Sequence, residues 1–381
     1  MDKSRVFFYK TLGLIIRALP ILYFYSNKDF LALGNYSLFS SISVVISGII
    51  GFEFHMITSR ELANKNVISQ KSPLSQHISV IILLTIVINI VLYLLDIHLV
   101  AAALNLVIIF YCLGEHVRFL NFTSKIVSSS KMNLIRDILF CFPFLFLNNH
   151  RLFLYATWLV FIIVLLISRR FISFRELSLK IWAHEFVFYI TRSHVFLINI
   201  ISRNLLAYSD RFFVFLSAGT EILGKYAIVA YINSSLMTIL NGSVVYVRIP
   251  ELISNKISKG VFLKQILLRI IPMIILVWAV LYLVVTTIPL NDIEMSKGIV
   301  LAFVLLGICS IFLSATGQII YSSEKDRLFV ITNVIFTLMV LIISVTAFNT
   351  ICYLLMVALG AFTIGLWRLA YEDHIFGTTH G

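Results

Sequence analysis

The residues best placed to do chemistry lie between Arg192 and Asp210, in RSHVFLINIISRNLLAYSD. Two arginines, two asparagines, a histidine and an aspartate stand there between long apolar runs. At about 100° per residue, Arg192, Asn199, Arg203 and Asp210 fall within roughly 40° of one another, so a helix carries them as one stripe. An ionised group near a bilayer centre costs from ~2.5 to above 10 kcal/mol unless it meets a cavity or a partner. Two readings meet that cost. One is a structural Arg203–Asp210 ion pair inside a helix bundle. The other, which we expect, is a helix lining a water-filled cavity that binds an anion. Arg17, in LGLIIRALP, is a second guanidinium at mid-span, with Pro20 one turn further on to bend its helix. Its bland reading is a snorkelling side chain. Glu53 and His55, in GIIGFEFHMITSRE, are candidates for a coupling proton or a gate; an interfacial pair near lipid headgroups is the alternative.

The elements that must position these residues are membrane helices. The chain of 381 residues is 60% hydrophobic and 13% charged, with a mean hydropathy of +0.99, whereas soluble domains are nearer half apolar and a quarter charged. About twelve runs are long enough to cross ~30 Å of hydrocarbon: 6–26, 35–57, 78–95, 97–117, 132–147, 152–168, 196–216, 223–247, 266–288, 298–321, 328–347 and 349–369. Residues 178–195 read as an approach to the seventh. Lys3, Arg5 and Lys10 precede the first run without an A-x-A cleavage site, which predicts an uncleaved first span.

The net charge of +12 does not point to nucleic acid, because the basic residues are scattered through short loops rather than gathered on one face. With the N-terminus inside, cytoplasmic segments take most of them, from Arg60, Lys65 and Lys71 to Lys325, Arg327 and Arg368. The opposite side keeps only Lys28, Arg151, Lys225 and Lys297. This asymmetry predicts a multi-pass protein with both termini cytoplasmic.

The sequence also repeats. Gly34-x-Tyr36 opens the second run and Glu61-Leu62 follow it; Gly224-x-Tyr226 and Glu251-Leu252 do the same for the eighth. An even number of spans per half gives halves of parallel orientation, with the site expected between them. The expected architecture is an all-α integral membrane protein: two parallel-related six-helix bundles, 1–177 and 178–381, around a central cavity. Arg17 and Arg203 then sit at similar depths in repeat-related helices, and their planar forks can clamp phosphate oxygens. Asn89, Asn105, Asn233, Asn241 and Gln318 are explained by interhelical hydrogen bonds.

No enzyme is indicated. Asp292-x-Glu294 is a solvated pair in a short loop, and Glu115-His116 completes no catalytic constellation. Walker loop, zinc spacing and nucleophile elbow are absent from the sequence. Cys112, Cys141, Cys309 and Cys352 lie in apolar runs without metal-ligand spacing, so neither a metal nor a cofactor is expected.

The stretches LGNYSLFSSISVVISGIIGFEF with SREL, and SDRFFVFLSAGTEILGKYAIVAYI with IPEL, together with the mid-membrane arginines, resemble the O-antigen (Wzx-type) polysaccharide flippases. These belong to the multidrug/oligosaccharidyl-lipid/polysaccharide exporter superfamily, with multidrug and toxin extrusion proteins and peptidoglycan-precursor flippases as relatives. The resemblance covers nearly the whole chain as architecture, and its motifs are short. It implies a bacterial inner-membrane flippase, working in lipopolysaccharide and surface polysaccharide biosynthesis. The cargo would be an undecaprenyl-diphosphate-linked oligosaccharide, moved from the cytoplasmic to the periplasmic leaflet. Membrane lipid and other polysaccharide-assembly membrane proteins are the implied partners. First-helix arginines hold the diphosphate in the precursor flippases, and only Arg17 carries over from them; Arg192, Asn199, Arg203 and Asp210 rest on the stripe. The alternatives are a drug or metabolite antiporter of the same fold, which would favour acidic cavity groups, and a membrane enzyme of polysaccharide assembly, which would need a large outer loop.

Overall fold

The structure, a computed structural model, describes residues 2–51, 73–122, 126–169, 179–240, 252, 257–287, 297–322, 326–347 and 349–376. Glu53, His55 and Asn241 lie outside the described residues, as does the expected division after residue 177. The described residues form eleven α-helices. In chain order these are α1 (Asp2–Ser26), α2 (Phe30–Ile50), α3 (Pro73–Leu94), α4 (His98–Phe122), α5 (Ile126–Cys141), α6 (His150–Ser168), α7 (Leu179–Leu240), α8 (Lys259–Thr287), α9 (Lys297–Ser322), α10 (Asp326–Thr346) and α11 (Thr350–Phe376). Among the described residues, eight stretches are long and apolar enough to cross a membrane.

Local chemistry explains where helices begin and end. α2 starts earlier than its apolar run because Asp29 caps it, accepting the Ala32 N–H at 2.9 Å. α5 stops at Cys141 because Pro143 brings no N–H, and the chain continues as a 3₁₀ turn, Phe142–Phe146. Both α1 and α3 close through one left-handed residue, Lys28 (φ 55°) and Asp96 (φ 59°). Around Lys28, the Asp29 N–H reaches the Phe24 carbonyl at 2.9 Å and the Lys28 N–H reaches Tyr25 at 3.0 Å. Ile97 to Leu92 and Asp96 to Tyr93 repeat that pattern, the Schellman arrangement that satisfies final-turn carbonyls.

α7 is two arms joined at Gly219, which has φ 84° and ψ 180°. The Tyr226 hydroxyl donates to Asp210 at 2.6 Å across a separation of 16 residues. Along a straight helix those residues would stand about 24 Å apart, beyond the reach of both side chains. The chain therefore doubles back at Gly219. The seventh and eighth expected spans are the two arms of this hairpin, and the approach segment from 179 onward is continuous helix with the first arm.

The chain divides into two compact units, Met1–Asn204 and Leu205–Gly381. In the first unit α4 is central, packing on α2, α3, α5 and α6. Ile109 and Leu113 of α4 are fully buried against Ile82 of α3 and Val164 of α6. In the second unit α9 holds the corresponding place, packed on α8, α10 and α11. α6 in the first unit and α11 in the second are capped alike, by Asn149 on the Leu152 N–H and by Asn349 on the Cys352 N–H.

Candidate functional site

Arg17 sits on the buried stripe of α1, in register with Gly13, Pro20, Ile21 and Phe24. Its Nη2 donates to Asp137 Oδ1 of α5 at 2.7 Å; the Arg17 side chain is 38% exposed and that of Asp137 only 8%. Gly13 makes the approach possible, because a Cβ there would stand 2.8 Å from Asp137 Oδ2. Arg136, the neighbour of Asp137, reaches the same Oδ1 at 3.4 Å and lies over the Phe110 ring at 4.8 Å. The Tyr36 hydroxyl donates to the Arg17 carbonyl at 3.2 Å and packs edge-on against Phe144. Pro20, three residues after Arg17, removes the ladder donor to the neighbouring Ile16 carbonyl, and Tyr36 braces α1 from α2 one residue further on.

The stripe proposed from sequence lies on the long first arm of α7. Arg192, Asn199 and Arg203 occupy helical positions there, and their side chains lie outside the described ones. On the same arm, Asn204 donates to the Val44 carbonyl of α2 at 3.4 Å, and the Trp182 indole donates to His77 Nδ1 of α3 at 3.5 Å. Those two positions share a face, and positions 192, 199 and 203 lie about a quarter turn around the helix from it. Asp210, in the second unit, accepts from Tyr226, while Arg211 lies over the Tyr208 ring at 5.1 Å. The two G-x-Y tyrosines thus do parallel work, each tying the returning helix of a hairpin to the outgoing one.

Several polar residues take places the sequence left open. Glu115 and Arg118 pair on α4 within one turn. Arg368, assigned above to a cytoplasmic segment, is buried in α11, and Arg136 is mostly covered in α5, its side chain 14% exposed. Asp137 was passed over, although an Arg-Asp pair inside MNLIRDILF was a visible signal. Asn89 and Asn105 behave as expected: Asn89 donates to Asn105 Oδ1 at 2.9 Å, Asn105 donates to Thr157 at 3.2 Å, and Trp158 donates to Asn89 Oδ1 at 3.3 Å, linking α3, α4 and α6. Among the described residues no group of three or more His, Cys, Asp or Glu side chains is placed to hold a metal.

No protein-family model and no curated protein matches this sequence. Solved structures do match its fold. One is a mutant of the Vibrio cholerae MATE transporter VcmN: 12% identity, 99% of this chain and 97% of that one covered, TM-score 0.51. Another is the MATE multidrug transporter DinF-BH, solved with a ligand: 14% identity, 99% and 94% covered, TM-score 0.54. The chain has the all-α, multi-pass fold of these transporters across nearly its whole length.

Proposed function

We propose that this chain is a multi-pass membrane transporter, not an enzyme, and that its cargo is anionic: a polyprenyl-diphosphate-linked oligosaccharide delivered from the cytoplasmic to the outer leaflet of a bacterial inner membrane. The shared fold supports transport. The observation that supports an anionic cargo is the pairing of α1 with α5 in the first unit, where two guanidiniums, Arg17 and Arg136, both reach Asp137. A site for cationic drugs would reverse that balance, because desolvated cations need acidic partners. A guanidinium fork binds phosphate oxygens through paired, charge-assisted hydrogen bonds. Arg17 and Arg203 are the proposed grips on the diphosphate, with Arg192, Asn199 and Asp210 along the same path and Glu53 or His55 as coupling or gating groups.

A second reading is export of small drugs, favoured by the fold match to a multidrug transporter. Expression in a strain lacking its own O-antigen flippase separates the two. Restored surface polysaccharide, abolished by Arg17→Ala and by Arg203→Ala and only partly recovered by the lysine variants, supports the first reading. Drug resistance without polysaccharide supports the second. Arg211 lies roughly 100° off the stripe, so Arg211→Ala should be the milder change.

A further inference from the structure

We infer that His77 of α3 and Trp182 of α7 form a latch that a proton releases. It holds the start of the first arm of α7 while His77 is neutral, and lets it go when His77 becomes charged. The inference is separate from the reading of the cargo, and its contacts all lie within the first unit, Met1–Asn204.

The donors and acceptors around His77 fix the state of its ring. The residue is buried, and both its nitrogens are engaged. Nε2 lies 2.9 Å from the carbonyl of Ile50, the last residue of α2, and the Trp182 indole reaches Nδ1 at 3.5 Å. An indole N–H can only donate, so Nδ1 accepts and carries no proton. A carbonyl can only accept, so Nε2 carries the single proton of the ring. The neutral Nε2–H tautomer serves both partners. An imidazolium has two donors and no acceptor, so its Nδ1–H would face the indole N–H. The proton and Trp182 therefore compete for one lone pair. The bond to Ile50 survives protonation and gains from a charged donor, so the proton releases α7 and leaves α3 tied to α2.

The neighbouring groups are few. From α4, Tyr111 stands edge-on to His77 with centroids 6.3 Å apart; one turn on, Glu115 pairs with Arg118, and His116 follows it. α6 packs Val160, Phe161 and Val164 into the same core, with Arg169 exposed at its end. Beyond Ile50, Glu53 and His55 lie outside the described residues, as do the side chains of Lys180, His184 and Glu185 beside Trp182. Among these, His77 is the titratable group whose charge the geometry ties to α7. The tie is well placed to matter. Trp182 stands in the first turn of α7, and the second tie of that arm, Asn204 to the Val44 carbonyl, comes 22 residues later. That is about 33 Å along a helix. Losing the first tie loosens the near end of a lever that carries Arg192, Asn199 and Arg203.

The test is fluorine NMR of the full-length protein in lipid nanodiscs, with its tryptophans replaced by fluorotryptophan. The sample is titrated from about pH 8 to about pH 5, the range in which histidines change charge. Trp182→Phe assigns the Trp182 resonance by its loss. In the wild type that resonance should move in a single step, while Trp158, bonded to Asn89 in the same unit, holds still. In His77→Gln the amide offers a donor and an acceptor but no titrating group, so the Trp182 resonance should keep its neutral position throughout. An unmoved wild-type resonance overturns the inference, as does an equal step in His77→Gln or a matching step at Trp158. Should His77→Gln not be recovered folded, Glu115→Gln takes its place. An undiminished step there supports His77 as the group that titrates; loss of the step assigns it to Glu115 and overturns the latch.

Discussion

Arg368 shows what a buried guanidinium requires. It is 2% exposed, and its three nitrogens donate in three directions: Nε to Thr332 Oγ1 at 3.0 Å, Nη1 to the Leu313 carbonyl at 2.9 Å and Nη2 to Asn333 Oδ1 at 2.8 Å. These acceptors tie α9, α10 and α11 together through one side chain from the last helix. Neutral interhelical hydrogen bonds in membranes average about 0.6 kcal/mol. Those made by charged donors are worth ~1.5–3 kcal/mol, and leaving buried acceptors unpaired adds to the loss. Arg368→Ala is therefore expected to cost about 3 kcal/mol or more, and Asn105→Ala about 1 kcal/mol. Melting curves of both variants in one detergent check this, and a smaller drop for Arg368→Ala would reverse the ranking. The asparagines were legible from sequence because an amide in an apolar run has little to do except bond another helix. Arg368 was not, because a cation near the end of a span looks like a loop charge until the packing around it is known. The partner of Arg17 was hidden for a different reason: Asp137 stands 120 residues away, and separation along the chain carries no signal of contact.

The helical hairpin is the element in which sequence and geometry meet most closely. The repeat of Gly-x-Tyr at 34–36 and 224–226 marks where each returning helix is latched, by Tyr36 on the Arg17 carbonyl and by Tyr226 on Asp210. The reversal itself was harder to read, since AGT around Gly219 resembles its apolar surroundings and the sequence suggested a loop over 217–222. The structure concentrates the reversal at Gly219, whose φ of 84° with ψ of 180° is a conformation that essentially only glycine adopts. A Cβ at Gly219 would meet nothing within 4 Å, so crowding is not the reason for glycine; backbone strain is. Gly219→Ala should lower stability by about 1–3 kcal/mol. At the first hairpin the logic inverts. Lys28 holds φ 55° with a side chain, so Lys28→Gly should relieve strain and raise stability by up to ~1 kcal/mol. Opposite shifts in melting temperature for these two substitutions are the expected result. Tyr226→Phe removes the donor to Asp210 and should cost about 1–3 kcal/mol, measured the same way.

At the scale of the whole molecule, composition and period were enough to announce a membrane bundle built from a repeated order of helices, because bilayer thickness fixes span length and every backbone group must be satisfied within its own helix. Which helix stands at the centre of each unit was not legible. α4 is less apolar than α3 and α6 beside it, and α9 is hardly distinguished from α10, so composition does not mark them as central; contact with several helices does. The parallel repeat expected from the sequence makes a topological prediction: reporter fusions after residues 66 and 257 should report the same, cytoplasmic side. It also bears on energetics. A diphosphate leaving an electrically negative interior moves with the field, and each elementary charge gains ~2.3 kcal/mol per 100 mV. Two charges would then gain about 4–5 kcal/mol, enough to drive delivery without nucleotide hydrolysis, in keeping with a sequence that carries no Walker loop. In vesicles of defined orientation, collapsing the membrane potential with valinomycin and potassium at constant pH should slow translocation of a polyprenyl-diphosphate cargo by an order of magnitude or more. Collapsing the pH gradient at constant potential should have the smaller effect. A cation exporter exchanging against protons predicts the reverse order, because its driving force lies in the proton gradient and its cargo moves against the field. The ratio of the two effects, measured on the same vesicles, therefore reads the sign of the transported charge, which is the property that the arginines of α1 and α5 are proposed to select.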